Sequence, residues 1–237
     1  MRAGIFTTTI AKILPISADL KHFKLAFAPG TVFKFDAGQF ANVILPGPEA
    51  GKSLKRPYSI ASSPAWEGSI DLCLKLVKGG YATHYFWALK EGDSLQIQGP
   101  LGRFTVREPL PKTLIYVSTG TGIAPFRSMI HDLLAKGVTN EIWNIFGNRY
   151  ENEILYKEEF EALAQKHPNF KNIFTVSRPK AWTGEHEYVQ LMLKKYIHDP
   201  KDKRLYICGL TNMILEVEKM ALSMGFEKSQ ILYEKYD

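Results

Sequence analysis

The sequence predicts two folds in series, an antiparallel β-barrel over residues 1–108 followed by a doubly wound parallel sheet with helices over 109–237. Three observations lead there. Short alternating apolar runs crowd the first part, separated by Pro-Gly and Gly-Gly turn pairs, as an antiparallel barrel requires. After Pro109 and Pro111 the texture changes to buried runs alternating with longer amphipathic segments, the pattern of βαβ units. At 237 residues the chain also has the length of two compact domains.

In the first part, strands are expected at 5–13, 22–27, 40–45, 58–61, 69–77 and 94–97. They are punctuated by Pro29-Gly30, Pro46-Gly47, Gly79-Gly80 and Gly99-Pro100. A single helix is expected over 81–89, where Tyr81, Tyr85 and Leu89 recur at helical spacing. In the second part, 114–117, 141–146, 172–176 and 204–207 read as parallel strands. Between and after them, 126–135, 153–167, 189–197 and 212–224 read as helices, the last stopped by Gly225. Ligands of such a sheet bind at the carboxyl ends of its strands.

Composition narrows the function classes. With 45% apolar and 23% charged residues the chain is ordinary globular material. Its two cysteines are too few for a disulfide framework, a four-thiolate cluster or a structural zinc site, and the histidines lack metal-ligand spacing, so no metal is expected. No signal-type core or membrane-length run occurs, which makes the cytoplasm the expected compartment. The net charge of +6 is either a solvated lysine surface or a basic face that steers an acidic partner. Dispersed basic residues and the lack of any nucleic-acid motif argue against nucleic-acid binding. Hydrolytic chemistry has no support, because no nucleophile elbow appears. Gly51-Lys52-Ser53 looks like the end of a P-loop, but Pro46 stands where its first glycine belongs, and a hairpin tip is expected instead.

Two motifs carry chemistry. In Ser118-Thr119-Gly120-Thr121-Gly122-Ile123-Ala124-Pro125, two glycines let the backbone turn sharply after a strand, and Pro125 suits the first turn of a helix. Read as chemistry, this sets free N–H groups against a pyrophosphate; read as structure, it is a turn. Arg56-Pro57-Tyr58-Ser59 likewise is either a proline-containing start of a strand or a phosphate-pairing arginine, a stacking tyrosine and a hydrogen-bonding serine. Lys75-Leu76-Val77-Lys78-Gly79-Gly80 followed by Thr83 favours the second view, since glycines ahead of a hydroxyl at a helix start form an anion nest.

The order of these motifs, with Gly92-Asp93, Gly99-Pro100-Leu101-Gly102, Cys208-Gly209 and a terminal aromatic, resembles the ferredoxin-NADP reductase superfamily over nearly the whole chain. The resemblance implies a flavin-binding barrel followed by a pyridine-nucleotide domain, with FAD and NADP(H) as cofactors. It implies that Arg56, Tyr58 and Ser59 hold the flavin and Thr83 its diphosphate, with Pro57, Lys75, Val77, Gly80 and Ala82 completing the contacts. Gly120, Thr121 and Gly122 would hold the nucleotide pyrophosphate, flanked by Thr119, Pro125 and Gly209. Arg149, in Phe146-Gly147-Asn148-Arg149-Tyr150, and Ser177-Arg178 would clasp a 2′-phosphate, which an NAD site would replace by a carboxylate for the ribose. Tyr233-Glu234-Lys235-Tyr236-Asp237 is similar to the tail of plant-type members, where the tyrosine holds the place of the nicotinamide ring. Ser59, Cys208, Glu234 and Tyr236 are the catalytic candidates. The implied activity moves electrons between NADP(H) and an acidic one-electron carrier such as ferredoxin or flavodoxin. A reductase component of an oxygenase, a free-flavin reductase, or an electron-transfer subunit of a larger complex are the alternatives.

Overall fold

The computed structural model describes residues 3–47, 49 and 51–236. It divides into two compact units, Met1–Thr105 with Ala124–Ala135, and Val106–Ile123 with Lys136–Asp237.

The first unit is a six-stranded antiparallel sheet. Its strands are β1 (Gly4–Ser17), β2 (Leu20–Phe27), β3 (Phe40–Pro46), β4 (Ser53–Ser59), β5 (Ser69–Lys75) and β6 (Ser94–Leu101), in the order β4-β3-β6-β1-β2-β5. Alternation sends one face of β3 and β6 inward, Ala41, Val43 and Leu45 from the first and Leu95 and Ile97 from the second, whereas β5 is buried continuously from Ile70 to Leu74. Helix α1 (Tyr81–Ala88) drives Phe86 into this core, edge-on to Phe23 at 5.3 Å. The two sheet edges meet just past β4, where the Ala61 N–H donates to the Asp71 carbonyl of β5 at 2.8 Å. The strand expected to begin at Tyr58 in fact ends at Ser59, and Arg56-Pro57-Tyr58-Ser59 is its last turn of the ladder. Pro57 is tolerated there because β4 is an edge strand, so its missing N–H forfeits little pairing. Gly51, at φ +76°, lies in the turn between β3 and β4, the hairpin tip expected from sequence.

The second unit is a five-stranded parallel sheet of β7 (Thr113–Thr119), β8 (Glu141–Asn148), β9 (Phe170–Val176), β10 (Lys203–Gly209) and β11 (Ile231–Lys235). Its order is β11-β10-β7-β8-β9, so the chain reverses direction of travel between β7 and β10, the place where such sheets open a ligand crevice. β7 is buried from Thr113 to Ser118, as expected of a strand covered on both faces. Ile115, Val117, Ile145, Leu205 and Ile207 form one face with residues of α4 (Val189–Tyr196) and α5 (Thr211–Ser223). Helix α3 (Lys157–Lys166) starts later than expected, because Glu151–Glu153 form a 3-10 turn and Tyr156 sits in the left-handed region at φ 58°. Helix α2 (Ile123–Ala135) follows β7, and its residues 124–135 pack within the first unit. Among the described residues, no helix is long and apolar enough to cross a membrane, and no cluster of three His, Cys, Asp or Glu could hold a metal.

Candidate active site

In the first unit the flavin candidates fall on the end of β4 and the turn before α1. Arg56 is exposed, and its Nη1 donates along its own strand to the Lys55 carbonyl at 3.1 Å. Tyr58 is half-buried, with its ring edge-on to Phe86 at 5.3 Å. Burial pushes the Tyr58 hydroxyl up to about 12, against an opposing pull from the Arg56 charge, so it stays a protonated donor at neutral pH. Ser59 is buried. Lys75 is drawn to Asp19, with Nζ 3.3 Å from the carboxylate.

The turn before α1 is built around Thr83. Its Oγ1 accepts the Val77 N–H at 3.1 Å and lies 3.1 Å from the Gly80 carbonyl and 3.3 Å from that of Val77. An added Cβ at Gly80 would stand 3.0 Å from Val77 Cβ and 3.1 Å from that same hydroxyl. Gly80 caps α1 and has no side chain to bond, so among the described residues no side chain caps the first-turn N–H groups of the helix. Exposed guanidinium, protonated tyrosine and uncapped helix start are the donor set that a flavin with a diphosphate calls for.

In the second unit the glycine motif leaves β7 as a single 3-10 turn, Gly120–Gly122, running directly into α2. Gly120 has φ +53°, and a Cβ on Gly122 would stand 2.3 Å from the Cys208 carbonyl oxygen. Only glycine allows this turn to lie against the end of β10. Parallel register then lines up Ser118, Cys208 and Glu234 across β7, β10 and β11. The Tyr236 N–H donates to the Gly209 carbonyl at 3.0 Å, which ties the tail to the same strand ends as the glycine turn. Cys208, Glu234 and Tyr236 are thus gathered together, while Ser59 belongs to the first unit.

At the ends of β8 and β9 two exposed arginines are held side by side. The Arg178 N–H donates to the Arg149 carbonyl at 2.8 Å, and the Ser177 N–H to that of Asn148 at 3.0 Å. The adjoining loops are locked by Glu151, whose carboxylate accepts the Ala181 N–H at 2.7 Å and the Lys180 N–H at 3.3 Å. Its own backbone N–H and those of Ala181 and Lys180 hold the Glu151 carboxyl below the usual range. Lys180 Nζ lies over the Tyr150 ring at 5.5 Å, and Lys157 Nζ over Trp182 at 5.4 Å. The result is a cationic ledge with aromatic faces, suited to a phosphorylated ribose.

Two polar groups here have no role in the motifs that contain them. Ser118 Oγ and Asn148 Nδ2 are buried and have no hydrogen-bond partner among the described residues, at the carboxyl ends of β7 and β8. Ordered water or a ligand is what such atoms normally take. Their signal in sequence is a polar residue closing an apolar strand.

Known proteins share this pairing of halves. Residues 7–106 match the family model of oxidoreductase FAD-binding domains, and residues 116–219 that of oxidoreductase NAD-binding domains. Ferredoxin–NADP reductase B of Sorangium cellulosum is 34% identical over 246 residues, with 100% of both chains covered. The phenol hydroxylase P5 protein of Acinetobacter pittii is 34% identical over 214 residues, covering 88% of this chain and 59% of that protein. A solved structure, a ferredoxin NADP+ reductase from Neisseria gonorrhoeae with bound FAD and NADP, matches with a TM-score of 0.86 at 21% identity, covering 98% of each chain. That last likeness is one of fold.

Proposed function

This chain belongs to the ferredoxin-NADP reductase superfamily, and from that membership we propose that it is an NADP(H)-dependent reductase of a one-electron carrier of the ferredoxin or flavodoxin type. FAD is assigned to residues 1–108 and NADP(H) to residues 109–237. The observation that carries the NADP(H) half is the backbone bond that sets Arg149 beside Arg178, so that two cationic side chains leave adjacent points of the chain for one dianionic 2′-phosphate. The end-to-end match to a ferredoxin–NADP reductase supports the choice of carrier.

When bound, FAD supplies the exchange of an electron pair with nicotinamide and of single electrons with the carrier. The chain supplies the rest. Arg56 would pair with a phosphate of the flavin, Tyr58 would pack beside its ring, and Ser59 would offer a hydrogen bond to a ring atom. Thr83 holds the Val77–Gly80 turn, so that the N–H groups of α1 would meet the diphosphate. Gly120, Thr121 and Gly122 would receive the nucleotide pyrophosphate, while Arg149, Ser177 and Arg178 would take the 2′-phosphate. Cys208, with Glu234 beside it in register, would line the nicotinamide pocket, Glu234 would be a proton partner, and Tyr236, tied to the Gly209 carbonyl, would hold the nicotinamide position.

A second reading, the reductase component of an oxygenase, is favoured by the phenol hydroxylase relative. Steady-state rates with NADPH and NADH against ferredoxin, flavodoxin and free flavin separate the two. The first reading predicts the highest kcat/KM with NADPH and a protein carrier; a preference for NADH, or for free flavin over either carrier, refutes it.

A further inference from the structure

Arg127, on α2, has no role in the site just described, yet it is 7% exposed and ionic. Its Nη1 donates to Asp71 Oδ2 at 3.0 Å and to the Ala61 carbonyl at 3.1 Å. The guanidinium lies over the Trp66 ring at 4.9 Å, and Trp66 in turn meets His131, one turn further along α2, edge-on at 4.8 Å. Asp71 is 6% exposed, with His22 Nε2 at 3.7 Å on its other side and its own N–H bonded to Ser62 Oγ at 3.0 Å. All of these residues lie within the first unit.

Burying such a pair is a poor way to gain stability, because well-packed apolar side chains usually do as well or better. What the pair does secure is the position of one backbone segment. β4 leaves its partner β3 at Ser59, the residue opposite Phe40, and stands last in the sheet order among the described residues. The chain beyond is held by the Ile60 N–H on Gln39, the Ala61 N–H on Asp71, and Arg127 on the Ala61 carbonyl. One guanidinium thus spans the end of β4 and the facing residue of β5, its Nη1 with two N–H groups serving a carboxylate and a carbonyl together.

We propose that Arg127 is a positioning residue for the flavin site: by clamping Ala61 to Asp71 it fixes the end of β4 that presents Ser59 to the flavin ring. The proposal rests on the assignment of Ser59 to the flavin. It is tested by FAD affinity of the apoprotein, titrated through flavin fluorescence, in a cycle of Ser59→Ala with Arg127→Met/Asp71→Leu. The paired change removes both charges of the Arg127–Asp71 pair, so neither is left buried without the other. FAD Kd is expected to rise about tenfold in the paired variant, the equivalent of one charged hydrogen bond, with a changed visible circular dichroism of the bound flavin. Ser59→Ala should then weaken FAD binding less in that background than in the wild type, because both changes act through one contact. An unchanged Kd and flavin spectrum, or strictly additive effects, overturns the role of Arg127 while leaving Ser59 in place. A Ser59→Ala protein that binds FAD like the wild type overturns both the proposal and the assignment beneath it. Arg127→Lys keeps the charge opposite Asp71 and guards against a paired variant that does not fold. It should show a smaller rise in Kd from loss of the Ala61 contact, and FAD binding identical to wild type would overturn the proposal.

Discussion

Replacing Arg149 or Arg178 by alanine tests the nucleotide assignment. The Arg178 N–H sits on the Arg149 carbonyl at 2.8 Å, so both side chains leave adjacent points of the backbone at the ends of neighbouring strands. A charged hydrogen bond is worth about 1.5 to 3 kcal/mol, and exposed groups fall at the lower end because water and salt screen them. Each single change should therefore raise KM for NADPH by roughly tenfold. KM for NADH and both kcat values should stay within about twofold, since the contact is made equally in ground and transition states. The double variant should lose less than the product of the single effects, because neighbours that share one phosphate are coupled. Higher ionic strength should erode the NADPH preference of the wild type and leave that of the double variant almost flat. Steady-state kinetics with both nucleotides at two salt concentrations read all of this. Equal rises in KM for NADPH and NADH would refute the placement of the 2′-phosphate on this ledge.

The remaining predictions concern the flavin residues, the glycine turn and the tail. Arg56→Ala should weaken FAD retention by one charge-assisted contact, about tenfold in Kd, and Thr83→Val should weaken it further by releasing the Val77–Gly80 turn, both measured by FAD titration of the apoprotein. Gly122→Ala would place a Cβ 2.3 Å from the Cys208 carbonyl, and should lower unfolding free energy by about 1 to 3 kcal/mol in urea titration while raising KM for either nucleotide. Tyr236→Ser should tighten NADP+ binding, relax the preference for NADPH over NADH and slow turnover through delayed release, whereas unchanged affinity and rates would reduce the tail to packing. Asp237, which follows it, lies outside the described residues.

What could be read from sequence, and what could not, divides by the range of the contacts involved. The glycine turn after β7 was legible because glycine and proline act on their own backbone, and the two sheet types were legible because their apolar spacing differs. The late start of α3 was not, since it depends on Tyr156 adopting φ 58°, a conformation that residue type does not advertise. β11 escaped notice because it has only five residues, of which Ile231 and Leu232 alone are buried. Without it, the register that sets Glu234 beside Cys208 had no basis in sequence. Thr83 was singled out as a hydroxyl for phosphate, and its bonds to Val77 and Gly80 came only with the folded turn. Arg127 and Asp71 are 56 residues apart, and their signal is faint: each is a lone charge in an otherwise apolar stretch, Ala124-Pro125-Phe126-Arg127 and Ile70-Asp71-Leu72.

Reduction of the FAD-loaded protein by nicotinamide nucleotide, without oxygen and followed at the visible flavin band, tests the central claim most directly. The protein is expected to bind FAD, NADPH to bleach the band faster than NADH at equal low concentration, and oxidised ferredoxin or flavodoxin to restore the colour. A protein that cannot be loaded with FAD, or a loaded protein whose flavin neither nucleotide reduces, would contradict it.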